Sequence, residues 1–177
     1  MNQNLQGKLP KPLDGGPTAG PHGVTLACGD KAPDFSLPDD GGGKVSLADF
    51  RDRLLVLYFY PKDDTSGCTR EAIEFNALRS EFQKAGAAIL GVSADSVASH
   101  AKFKTKHKLE LVLGSDESRA VLEAYGVWVE KSMYGRKYMG IERTTFLIGK
   151  DGRILAAWNK VKVPGHAAEV LAAVKAV

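Results

Sequence analysis

The stretch Tyr60-Pro61-Lys62-Asp63-Asp64-Thr65-Ser66-Gly67-Cys68-Thr69-Arg70-Glu71-Ala72 is the part of this sequence best suited to chemistry. An apolar run ends at Pro61, a short polar loop follows, and a helical pattern begins at or near Cys68. A cysteine in a first helical turn faces unsatisfied backbone N–H groups and the positive end of the helix dipole. Both favour the nucleophilic thiolate over the thiol. Thr65, three residues earlier, can place its hydroxyl beside the sulfur, and Gly67 lets the backbone approach a small substrate closely. A lone cysteine near a helix start is also a common small buried residue. Spacing alone leaves both readings open.

The elements that must position Cys68 follow from the hydrophobic pattern. Leu54 to Tyr60 is continuously apolar, as expected for a strand buried on both faces. Cys68 to Ala85 reads as one helix, with Ala72, Phe75, Leu78 and Phe82 on a single stripe and Gly86 ending it. Ala87 to Val92 is the next strand, Val97 to His107 a helix with a polar face, and Leu111 to Leu113 a short strand. Val45 to Leu47 is a further short strand, and Ser118 to Tyr125 a short helix. Thr144 to Ile148 and Arg153 to Trp158 read as a hairpin around Gly149-Lys150-Asp151-Gly152, and Gly165 to Ala176 as a closing helix. A β-α-β unit is parallel with a right-handed crossover, and a following hairpin adds antiparallel strands. The expected fold is α/β and thioredoxin-like: a central mixed β-sheet flanked by helices.

With 177 residues the chain is long enough for one domain with a sizeable core. No aromatic residue precedes Phe35, and the start is rich in Gly and Pro. Residues 1–27 are therefore expected to be a flexible N-terminal arm, and residues 28–177 the folded domain. With 24 Lys+Arg against 21 Asp+Glu, the net charge of +3 is too small and too mixed to argue for nucleic acid or an anionic membrane surface. Two cysteines, Cys28 and Cys68, exclude a disulfide-stapled scaffold and a multi-cysteine metal cluster. No apolar run is long enough to span a bilayer, and the first residues lack the pattern of a secretory signal. The expected location is cytoplasmic.

Pro61-x-x-x-Thr65-x-x-Cys68 resembles the active-site signature of the peroxiredoxins. The wider chain resembles their bacterioferritin comigratory protein branch, also called peroxiredoxin Q. Gly29 to Phe35 is similar to that branch's opening, and Phe59 to Thr65 to its approach to the cysteine. Tyr125 to Trp128, Lys131 to Gly135, Lys137 to Ile141 and Arg143 to Ile148 are similar to its second half. The resemblance covers about residue 29 to the C-terminus and implies a thiol-dependent peroxidase acting on hydrogen peroxide and organic hydroperoxides, without metal, haem or flavin. Cys68 would be the peroxidatic cysteine and pass through a sulfenic acid. Thr65 would orient the peroxide and share a hydrogen bond with the sulfur. Arg143 would hold the thiolate and the charge developing on the leaving oxygen. Pro61 would shield the site and set the loop. Glu71 would either orient an arginine or be a solvated carboxylate at a helix start.

The sequence departs from that branch in one respect. Its usual resolving cysteine, five residues after the first or on the following helix, is absent: Ile73 occupies the first position, and Val97 to His107 contains no cysteine. A one-cysteine mechanism follows, with thioredoxin, glutaredoxin or glutathione as external reductant and the enzyme a monomer or weak homodimer. Cys28 is the remaining resolving candidate. A disulfide oxidoreductase is disfavoured because no C-x-x-C stands at the helix start; a redox sensor using Cys68 is the other alternative. His22, His100, His107 and His166 are scattered and do not pair with cysteine at metal-ligand spacing. His100 is read as a solvated helix residue. Lys131 to Tyr138 is expected to be a loop near the site, with Trp128, Met133 and Tyr134 in an apolar collar or contact surface.

Overall fold

Every side chain from Leu54 to Phe59 is buried, and alternation along this strand divides the core in two. Val56, Tyr58 and then Tyr60 face one apolar cluster with Phe75, Phe82, Phe103 and Val170. Leu55, Leu57 and Phe59 face the other, with Phe35, Leu122, Tyr125 and Phe146. Two-sided burial is why the sequence shows an unbroken apolar run here instead of alternation.

The computed structural model describes residues 18–19 and 25–177. In chain order the elements are β1 (Thr18–Ala19), β2 (Thr25–Leu26), β3 (Ser36–Pro38), β4 (Lys44–Ser46) and β5 (Leu54–Phe59). Next come α1 (Ser66–Ala77), α2 (Arg79–Lys84), β6 (Ala87–Ser93), α3 (Val97–His107), β7 (Val112–Ser115) and α4 (Ala120–Ala124). The chain closes with β8 (Trp128–Met133), β9 (Arg136–Ile141), β10 (Thr144–Ile148), β11 (Ile154–Trp158) and α5 (His166–Lys175). The central sheet has five strands in the order β11-β10-β5-β6-β7. β5, β6 and β7 run parallel, while β10 is antiparallel to β5 and β11 to β10. This is the mixed, helix-flanked sheet of a thioredoxin-like fold. No helix among the described residues is long and apolar enough to cross a membrane.

Three expectations need correction. The long helix is broken at Leu78 into α1 and α2. Asn76 and Arg79 flank the break and both reach Glu110, Asn76 by accepting from its N–H at 2.8 Å. The helix also begins at Ser66, before Cys68. The segment expected as a loop is the antiparallel hairpin β8–β9. Its turn residues Tyr134 and Gly135 both have positive φ, 52° and 77°, as a tight two-residue hairpin turn requires. Met133 and Tyr134 stand exposed at its tip, and Trp128 instead lies under the Arg119 guanidinium.

Most of the expected arm lies outside the described residues. Leu26, placed in that arm by the sequence reading, is buried in the same cluster as Ala32 and Phe35.

Candidate active site

The central strand β5 delivers the chain to its C-terminal end at Tyr60, and residues 61–65 turn it into α1. Thr65 is the N-cap with extended backbone, so Ser66, Gly67 and Cys68 form the first helical turn. Their N–H groups precede the first i→i−4 bond, which runs from the Thr69 N–H to the Thr65 carbonyl at 2.8 Å. Cys68 is almost fully buried, at 2% exposure.

Arg143 reaches this sulfur from the link between β9 and β10. The link is fixed by the Glu142 N–H on the Val127 carbonyl, at 2.8 Å, and by the Val161 N–H on the Arg143 carbonyl, at 3.0 Å. Arg143 Nη2 lies 3.3 Å from Cys68 Sγ, and Nη1 donates to Glu71 Oε1 at 2.7 Å. Glu71 sits one turn after Cys68 and is buried at 1% exposure, so of its two expected readings the solvated carboxylate is the one overturned. Burial pushes the Glu71 carboxyl up to about 7 against the pull of Arg143. Burial works against the Arg143 charge, but Glu71 and Cys68 outweigh it and raise its affinity for the proton. A Cβ at Gly67 would come within 3.2 Å of Arg143 Nη2. The bare glycine thus leaves the guanidinium room beside the helix start.

Thr65 and Pro61 border the same loop. The Thr65 hydroxyl donates to the Lys62 carbonyl at 2.9 Å. The expected hydrogen bond with the sulfur is not formed, because the hydroxyl proton is committed to that carbonyl. Its oxygen remains an acceptor, and Thr65 is exposed toward solvent. Pro61 is half-buried beside Tyr60.

A buried cysteine at a helix start, a guanidinium on its sulfur and a carboxylate behind the guanidinium can stabilise a thiolate and an oxygen leaving as an anion. Comparison with known proteins agrees. The model of the AhpC/TSA family matches residues 28–157. The chain belongs to the AhpC/TSA family. It is 52% identical over 148 residues to a putative peroxiredoxin bcp of Coxiella burnetii, covering 84% of this chain and 98% of that one. It is 48% identical over 152 residues to peroxiredoxin Bcp of Bacillus subtilis, covering 86% and 97%. A solved structure of the Xanthomonas campestris bacterioferritin comigratory protein, from work on its alkyl peroxide reduction activity, superposes with a TM-score of 0.79 at 49% identity, covering 85% of this chain and 96% of that one. The protein is thus a peroxiredoxin of the peroxiredoxin Q branch, a thiol-dependent peroxidase.

This peroxiredoxin does not bring its two cysteines together. The Gly29 N–H bonds the Ile154 carbonyl at 2.8 Å, which fixes the exposed Cys28 beside the start of β11. Ile154 pairs with Ile148, and Ile148 with Leu55, at the end of β5 far from Cys68. The strand length from Leu55 to Phe59 alone separates the two ends by about 13 Å, well beyond the Cα–Cα reach of a disulfide. A resolving role for Cys28 toward Cys68 of its own chain would require this segment to leave the sheet.

The histidines of this peroxiredoxin also differ from their sequence reading. His22 lies outside the described residues. His100 is fully buried, and its Nδ1 lies 2.7 Å from the Asp63 carboxylate. Asp63, Asp95 and His100 stand close enough to share an ion, but these groups are engaged by Tyr60, Ser93, Ser99 and Gly114. His166 is buried against the Thr145 hydroxyl at 2.8 Å, and burial, then Arg143, pushes it down to about 4. Lys131 of β8 is a further cation that composition could not single out. Burial and Arg143 lower its proton affinity, while Glu142 and Cys68 oppose them.

Proposed function

We propose that Cys68 is the peroxidatic residue of this peroxidase and that it works without a resolving cysteine. The Cys68 thiolate attacks one peroxide oxygen, the O–O bond breaks, and Cys68 becomes a sulfenic acid. The peroxide is reduced by two electrons, and its other oxygen leaves as water or an alcohol after taking a proton. An external thiol then attacks the sulfenic sulfur, releasing water and forming a mixed disulfide. A second thiol returns Cys68 to the thiol and leaves as the oxidised reductant.

The observation that carries this reading is the Arg143 guanidinium, 3.3 Å from Sγ and fixed by Glu71 at 2.7 Å. A cation anchored there stabilises the thiolate and then the leaving oxygen without moving. Thr65, whose own proton is donated to Lys62, accepts from the O–H of the incoming peroxide. Pro61 shields the sulfur from water at the loop's start. The domain doing this work is residues 28–177, joined by Leu26, which packs into its core; the family match over 28–157 supports that reading. Organic hydroperoxides are included because the similar Xanthomonas protein is described by its alkyl peroxide reduction.

The absence of cysteine at position 73 and throughout α3 supports an external reductant: thioredoxin, glutaredoxin or glutathione. Such an enzyme works as a monomer or weak homodimer in a reducing compartment such as the cytoplasm. The test is Cys68→Ser, assayed with each thiol. Loss of peroxide consumption is expected, and retained consumption overturns the assignment. An insulin-reduction assay separates it from a disulfide oxidoreductase.

A further inference from the structure

Six side chains outside the reacting centre meet Asp63 and Asp64 on the loop that leads into Cys68. Asp63 is buried at 7% exposure. Its Oδ1 accepts from the Tyr60 hydroxyl at 2.6 Å, and its Oδ2 from the Ser99 hydroxyl at 2.8 Å and His100 Nδ1 at 2.7 Å. The Asp63 N–H donates to Asp95 Oδ2 at 2.8 Å. Asp64, next in the chain, has a φ of 60°, a conformation that aspartate tolerates better than most residues. Its carboxylate accepts from Lys106 Nζ at 2.7 Å and His107 Nε2 at 2.8 Å. Ser99, His100, Lys106 and His107 all belong to α3.

The ring of His100 makes the arrangement stringent. Nδ1 faces the Asp63 carboxylate and Nε2 faces the Gly114 carbonyl at 3.0 Å. Both partners are acceptors, so both nitrogens must carry protons and the ring is an imidazolium. It ties the loop to α3 and, through Gly114, to β7. Buried charges paired this way define one arrangement sharply, because neither tolerates losing the other.

We propose that Asp63, Asp64 and His100 are positioning residues, by which α3 clamps the pre-cysteine loop and fixes Thr65 and the start of α1 in the geometry that attacks peroxide. The proposal rests on the peroxidase reading above. Thr65 lies one residue beyond the clamp, and Cys68 one helical turn further. A loop free to shift by an ångström would misplace both the acceptor for the peroxide O–H and the helix N–H groups. In an enzyme whose sulfenic acid waits for an external thiol, the clamp also keeps the oxidised sulfur where it formed. Loosening it therefore slows oxidation of Cys68 and leaves its reduction undiminished.

The experiment compares the full chain with Asp63→Ala, Asp63→Asn and Asp64→Ala. Rapid quenching and mass spectrometry follow Cys68 oxidation by hydrogen peroxide, then reduction of the sulfenic acid by glutathione. Amide exchange is read over residues 61–68 and over β5. In the Asp63→Asn variant the side-chain amide can donate to a neutral His100 through its nitrogen while its oxygen still accepts from Tyr60, so the clamp is preserved without its charge. Asp63→Ala is expected to oxidise at least about tenfold more slowly, and Asp64→Ala about threefold, with Asp63→Asn within about threefold of wild type. Glutathione reduction is expected to be no slower in any of them, and exchange faster over residues 61–68 only. If Asp63→Ala does not fold, the exposed Asp64 arm decides the question. Unchanged oxidation or exchange in the alanine variants overturns the proposal. So does an Asp63→Asn enzyme as slow as Asp63→Ala, or slowing of both steps with faster exchange throughout β5. Wild-type Cys68 left unoxidised by peroxide overturns the peroxidase reading and the catalytic role of the clamp with it; local exchange then still decides whether the clamp itself exists.

Discussion

Replacing Glu71 by Gln removes a charge while keeping an acceptor for Arg143. In the folded chain one guanidinium faces both the Glu71 carboxylate and the Cys68 sulfur. Glu71 is almost fully buried, Glu74 adds a like charge nearby, and the second carboxylate oxygen of Glu71 has no hydrogen-bond partner. Burial raises the Glu71 carboxyl from 4.5 to about 7. The folded state therefore binds more protons than the unfolded state between these values, and stability falls as pH rises through that window. At 1.36 kcal/mol per pH unit, the full penalty above the window is about 3 kcal/mol. At pH 5 most of it is absent, because Glu71 is protonated in the folded state. Glutamine stays neutral at every pH. Glu71→Gln is expected to gain about 2–3 kcal/mol more, relative to wild type, at pH 8 than at pH 5. Urea unfolding followed by the fluorescence of the buried Trp158 reads this as a shift of the midpoint by about 1 M. An equal effect at both pH values, or a variant less stable than wild type at pH 8 alone, refutes the reasoning.

Arg143→Lys keeps a charge but loses the fork that spans Sγ and Glu71, so stopped-flow oxidation of Cys68 is expected to slow by about 10²-fold. Cys28→Ser is expected to leave peroxide turnover unchanged, and intact mass of the wild-type chain after one equivalent of peroxide should show no internal disulfide; loss of turnover in the variant, or a wild-type species lighter by two hydrogens, would restore a resolving role. Gly91→Ala places a Cβ 2.7 Å from the buried Tyr58 ring. Tyr58 stacks on Phe75 at 4.7 Å and has no room to retreat, so chemical denaturation should show a loss of about 1–3 kcal/mol.

Local signals made much of this protein legible before any coordinates. The apolar run from Leu54, the helix over Val97–His107 and the hairpin around Gly149 to Gly152 are set by near-neighbour periodicity and turn chemistry. Cys68 stood out for the same reason, since a strand, a loop and a helix start are contiguous in the chain. Arg143 did not: 75 residues separate it from Cys68, and only family resemblance raised it. The hairpin β8–β9 was missed because its strands are mostly exposed and carry little apolar alternation.

Sequence by itself thus determined the strands and helices that build the central sheet, the candidate cysteine at a helix start and the absence of cysteine at position 73 and over Val97–His107, because each is a property of residue type and short-range spacing. Tertiary structure alone decided which distant groups meet. It turned Glu71 inward to the arginine, buried His100 on Asp63, and left Cys28 at the far end of the sheet. Those outcomes depend on strand order and on burial. A histidine or carboxylate becomes a charged partner or a solvated side chain according to what the fold packs against it, and that information is not carried by its neighbours in the chain.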